Sequence, residues 1–106
     1  MYRRRAIRRR QRDRRPLGIA SADGLLYIAD TYNYRIKTYS LETAEVHTIA
    51  RTGTPGNTDG KTLDASFNEP SGLAIYGDKL YIADTNNHAI RVMSLDTDII
   101  STLDVR

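Results

Sequence analysis

Cysteine is absent from all 106 residues, which excludes disulfides, thiolate metal sites and dithiol redox chemistry and leaves the redox compartment open. Long apolar runs are missing too. No stretch approaches the roughly 18 to 20 consecutive apolar residues of a membrane span, and the arginine-rich start has no apolar run behind it to make a signal peptide. No membrane association is expected, and a cytoplasmic location is the expectation, although nothing in the chain names a compartment. Acids are almost absent from the first fifteen residues. There, nine arginines (Arg3, Arg4, Arg5, Arg8, Arg9, Arg10, Arg12, Arg14 and Arg15) face Asp13 alone, a net charge of +8. The other 91 residues hold seven cationic side chains against twelve acids, a net charge of −5. The overall +3 therefore belongs to the tail, and like-charge repulsion at this density predicts disorder over residues 1–15.

What is present is a repeat. Shifting the chain by 54 residues aligns Pro16–Ile49 with Pro70–Leu103 without a gap, and 15 of the 34 pairs are identical. The match is densest where Leu26-Tyr27-Ile28-Ala29-Asp30-Thr31 faces Leu80-Tyr81-Ile82-Ala83-Asp84-Thr85, and it continues through Asn33 with Asn87, Ile36 with Ile90 and Ser40-Leu41 with Ser94-Leu95. A duplicated unit of this length is read before any secondary structure, because repeats dictate architecture.

Within each unit the apolar runs are short and punctuated, which predicts strands. The four runs are Gly18–Ser21, the LYIAD run, Arg35–Tyr39 and Val46–Ala50, with counterparts Gly72–Tyr76, Leu80–Asp84, Ile90–Met93 and Ile99–Leu103. Asp23-Gly24 and Gly77-Asp78 fall between the first and second runs, where a tight hairpin needs residues that tolerate positive φ. Asp-Thr-Tyr-Asn and Asp-Thr-Asn-Asn follow the second run and supply turn-forming side chains. Each unit is thus a four-stranded antiparallel meander with apolar residues on both faces of its central strands. Such a sheet must be covered on both sides by neighbours, which is the design of a propeller blade.

The segments Gly53-Thr54-Pro55-Gly56-Asn57-Thr58-Asp59-Gly60 and Ala65-Ser66-Phe67-Asn68-Glu69-Pro70-Ser71-Gly72-Leu73-Ala74, followed by Leu80 to Thr85 and Asn87 to Arg91, resemble the NHL repeat. Within that family the chain looks most like repeats of proteins that also carry a thioredoxin-like domain. The expected fold class is all-β: two four-stranded antiparallel NHL-type blades, forming a partial propeller, behind a disordered basic tail. The expected division is tail 1–15, blade 1 at 16–51, inter-blade loop 52–69 and blade 2 at 70–106. The resemblance implies propellers of six blades, and Gln11 to Arg15 replace the counterpart of Ala65 to Glu69. Two blades do not close a ring, so the chain is expected either to be a fragment of a longer propeller or to form a homo-oligomer that completes the ring.

In such a meander the connection between strands two and three emerges on the same side as the connection between blades. Tyr32, Asn33, Tyr34, Arg35, Arg51, Lys61, Asn86, Asn87 and His88 therefore form a candidate rim for a protein partner, since loops on rigid scaffolds are where binding resides. The competing reading makes the same residues turn formers and stacking groups between blades. Arg3, Arg4, Arg5, Arg8, Arg9 and Arg10 are candidates for a nucleic-acid arm acting through counterion release. No enzyme, cofactor or metal is expected. His47 and His88 lie on different runs without metal-ligand spacing. Asp30 and Asp84 recur at a strand end, where turn and cap bonding is the simpler role. Gly53, Gly56 and Gly60 precede no helix that would make them a phosphate loop.

Overall fold

The computed structural model describes residues 18–51, 56–62 and 65–103, with the backbone alone at Arg51; the expected basic tail lies outside the described residues. Blade 1 is a meander of β1 (Gly18–Ala22), β2 (Leu25–Asp30), β3 (Arg35–Ser40) and β4 (Val46–Arg51). A two-residue strand, β5 (Gly60–Lys61), follows in the connection. Blade 2 comprises β6 (Pro70–Tyr76), β7 (Lys79–Asp84), β8 (Ala89–Ser94) and β9 (Ile99–Leu103). All pairings are antiparallel, and β5 joins blade 2 at its outer edge, giving the order β5-β9-β8-β7-β6.

Turn chemistry sets the register. Asp23 and Gly24 take φ of 53° and 80°, the pair of positive values of a two-residue hairpin in which both central residues are left-handed. At the corresponding point of blade 2 the order is reversed, and Gly77 at φ 61° carries the positive angle alone. The β3–β4 and β8–β9 turns share a serine device: Ser40 Oγ accepts from the Glu42 and Thr43 amides, and Ser94 Oγ from the Thr97 amide. β2–β3 and β7–β8 are joined by one turn of 3-10 helix, Thr31–Asn33 and Thr85–Asn87, each closed by a left-handed residue, Tyr34 and His88.

Strand alternation gives every blade two different faces. Tyr27 and Ala29 point to one face of blade 1 and are buried, together with Ile36 and Ala50. In blade 2 it is the opposite parity, Leu80 and Ile82 with Met93 and Ile100, that is buried. The blades therefore stack head to tail, the Tyr27 face of the first on the Leu80 face of the second, around one shared core. Phe67 and Ala65 of the connection, both fully buried, fill that core from the side. Burying a side chain the size of Phe67 contributes on the order of 2–3 kcal/mol.

The two blades approach each other backbone to backbone at Gly18 and Ser71. β1 lies against β6, and a methyl group at Gly18 would overlap the Ser71 carbonyl oxygen. Gly18→Ala should lower stability by about 2 kcal/mol, because neither partner is a flexible side chain that could give way. The measurement is the midpoint of urea unfolding, and an unchanged midpoint would show that the blades do not meet there.

Candidate functional site

The end of the molecule that carries the 3-10 turns is organised by β8. Arg91 is 1% exposed in a row whose other members are apolar, so its charge must be met inside the protein. Its Nη1 donates to Asp84 Oδ2 at 2.8 Å and to the Ser66 carbonyl at 2.7 Å. Nη2 donates to Asp59 Oδ1 at 2.7 Å and the Thr58 carbonyl at 2.8 Å, and Nε reaches the same Asp59 oxygen at 3.2 Å. Five bonds match the five donors of a guanidinium. The ring of Phe67 lies beneath, 5.2 Å from centroid to the guanidinium carbon.

Asp84, fully buried at the end of β7, is the other half of the arrangement. Besides Arg91 it accepts from the Asn68 amide at 2.7 Å and from Asn87 Nδ2 at 2.7 Å. It does not cap the backbone of the 3-10 turn that follows it, but it meets that turn through Asn87, and its oxygens also hold the connection between the blades, a longer-range role added to the expected turn bonding. In blade 1 the counterparts are Asp30 and Lys37, paired at 3.0 Å with Lys37 30% exposed, and Asn33 Nδ2 completes the set on Asp30. The same plan is present there with a weaker, wetter cation.

Sequence-derived rim residues fall into three groups. Asn86 and Asn87 are spent on the scaffold: Asn86 bonds Asn68 through amide and side chain, and Asn87 Nδ2 donates to the Gly56 carbonyl at 2.7 Å. Asn33 is likewise held by Asp30. Tyr32, Tyr34, Arg35 and His88 stand at the same end, their side chains making no hydrogen bond among the described residues, and Arg35 Nε is enclosed without a partner. Tyr34 and His88 sit at φ 59° and 52°, a region bulky residues rarely occupy.

Lys61 stands apart from them. It pairs with Ile99 at the start of β9, and the Thr62 amide donates to the Asp98 carbonyl, so the connection runs from the rim down the outer edge of blade 2 to its opposite end. Arg51's side chain and the arginines Arg3, Arg4, Arg5, Arg8, Arg9 and Arg10 lie outside the described residues. His47, beside Glu45 at 3.5 Å, is far along the chain of strands from His88. Among the described residues no three His, Cys, Asp or Glu side chains converge to hold a metal ion, and no helix is long and apolar enough to cross a membrane.

Sequence reasoning passed over Arg91. The available signal was parity: Arg91 shares a face with Met93 on β8, next to Leu80 and Ile82 on β7, and a charge in an apolar row demands buried partners.

Comparison with known proteins places this geometry. Residues 14–39 and 67–93 match the family model described as NHL repeat. The chain is 44% identical over 95 residues to NHL repeat-containing protein 2 of Homo sapiens, a match covering 85% of this chain and 13% of that protein. It is 46% identical over 83 residues to protein SUPPRESSOR OF QUENCHING 1, chloroplastic, of Arabidopsis thaliana, covering 76% of the chain and 8% of the relative. This chain therefore spans only a small part of the length of these relatives. Among solved structures, an auxiliary nutrient binding protein from Bacteroides thetaiotaomicron superposes with a TM-score of 0.61 at 18% identity, over 74% of this chain and 22% of that one.

Removing Arg91 strands two carboxylates, one of them fully buried. Arg91→Met should cost about 3–5 kcal/mol and raise hydrogen-exchange rates at the amides of Gly56, Ala65 and Ser66. Lys37→Met, where the cation is wetter and buried Asp30 keeps Asn33 as a donor, should cost about 1–2 kcal/mol. Urea titration with exchange monitored by NMR reads both, and equal costs at the two positions would refute the special place given to Arg91.

Proposed function

The chain belongs to the NHL-repeat family, and from that membership we propose that its two blades are a non-enzymatic binding scaffold whose rim receives a protein partner. The observation that carries this reading is the contrast between the two 3-10 turns. The blade-2 turn commits Asn86 and Asn87 to the connection between blades, which makes it a support. Among the described residues the blade-1 turn leaves the side chains of Tyr32, Tyr34 and Arg35 without hydrogen bonds, with Arg35 Nε lacking any partner.

Two tyrosines beside an arginine are the residue types that dominate the energetics of protein interfaces, because each offers large contact area or several donors at small entropic cost. The two repeated strand-end aspartates are occupied: Asp84 by Arg91, Asn68 and Asn87, and Asp30 by Lys37 and Asn33.

The test uses the full chain, biotinylated, to capture binding proteins from cell extract, with Tyr34→Ala and Arg35→Ala alongside. Each substitution should weaken capture of a reproducible partner about tenfold, whereas Asn86→Ala should not. Retention of a ligand that nuclease treatment releases, and that is lost on deleting residues 1–15, would replace the protein reading with nucleic-acid binding through the arginines.

A further inference from the structure

The hairpin end, opposite the 3-10 turns, holds a cavity of about 380 Å³ in the cleft between the blades. Blade 1 contributes Ala22, Asp23 and Tyr27 to its wall, and blade 2 contributes Asp78, Leu95 and Asp96. The volume falls within the range of roughly 300–1,000 Å³ typical of small-molecule sites. Its wall is divided by chemistry. Ala22 and Leu95 also pack against the core and give an apolar side, while three carboxylates stand on exposed turns at the mouth.

Tyr27 supplies the inner polar contact. It is 8% exposed and belongs to the core cluster, and its hydroxyl has no hydrogen-bond partner among the described residues. Tyr27 is among the residues that line the cavity. Burial, with the charge of Asp23 second, pushes its pKa above the ordinary 10.0, so it is a neutral hydroxyl at neutral pH, able to accept a hydrogen bond.

We propose that this cavity binds an organic cation on an apolar stem, an alkylammonium or alkylguanidinium, whose N–H groups donate to the Tyr27 hydroxyl while its charge faces Asp23, Asp78 and Asp96. A methylene stem suits the Ala22 and Leu95 wall, as lysine and arginine stems suit apolar surfaces elsewhere. A metal ion does not suit it, because no three of these carboxylates converge closely enough to coordinate one. The local cation, Lys79, lies 3.3 Å from Asp78 with its side chain 45% exposed. It neutralises part of one carboxylate on the outside and leaves Asp23 and Asp96 without an ion-pair partner among the described residues. This site is at the other end of the blades from the rim and does not depend on the rim reading.

The experiment titrates the isotope-labelled full chain with n-butylguanidinium chloride at constant ionic strength and follows amide shifts by NMR. Saturable shifts are expected at Ala22, Gly77 and Leu95. Tyr27→Phe should weaken binding about tenfold, and Asp23→Asn about threefold. Asp23 lies on an exposed turn at φ 53°, a conformation asparagine tolerates, so that variant folds whatever Tyr27→Phe does. Spermidine and a blocked arginine tripeptide then separate the sources: tighter binding of the first assigns the site to free polyamines, and of the second to a partner's side chain. The absence of saturation, an unchanged affinity in Asp23→Asn, or equal shifts with calcium chloride would overturn the proposal.

Discussion

One buried guanidinium governs how these two blades come together. Arg91 sits in an apolar row, and desolvating its charge is offset only because every N–H meets an oxygen. Those oxygens come from two parts of the chain far apart in sequence: Asp84 on the neighbouring strand, and Thr58, Asp59 and Ser66 in the connection. Satisfying the arginine thus folds the connection onto blade 2 and carries Phe67 and Ala65 into the core between the blades. Polar satisfaction and apolar burial are a single event here. Neither would be complete without the other.

Much of this was legible in the amino-acid sequence, for identifiable reasons. Strand positions followed from the duplicated apolar runs, and the observed strand ends agree with them to within two residues, because hairpins punctuated by Asp23-Gly24 and Gly77-Asp78 leave little freedom of register. The excursion of the connection was not legible. β5 is two residues long and carries no alternation to detect, so Lys61 was grouped with the rim although its strand pairing takes it toward the opposite end. Arg91 was missed because its counterpart is Lys37, and a basic residue repeated at a strand position resembles a solvated face. The distinction between them lies in the connection: residues 56–69 precede blade 2, whereas the corresponding positions before blade 1 are largely arginine.

The rim residues illustrate a related point. Asn33 and Asn87 are identical in the repeat and do the same work, each bracing the aspartate three residues before it. Where the units differ at Tyr32 and Asn86, the second unit ties its side chain to Asn68, and among the described residues the first has no such bond. A repeat therefore separates scaffold from surface internally: shared positions hold the blade together, and divergent positions at its ends are free to acquire specificity.

The head-to-tail stacking of the blades has a further consequence. The Tyr27 face of one unit meets the Leu80 face of the next, and these are opposite sides of equivalent sheets, so the joint is directional and leaves a complementary pair of faces at its two outer sides. A joint of that kind contains no stopping rule. How many units follow one another before the last meets the first is decided by the small rotation between neighbours, a matter of wedge angle and not of adhesive strength. Residues such as Gly18, which set how closely two sheets approach, therefore act on the angle between the two blades as well as on the stability of one contact.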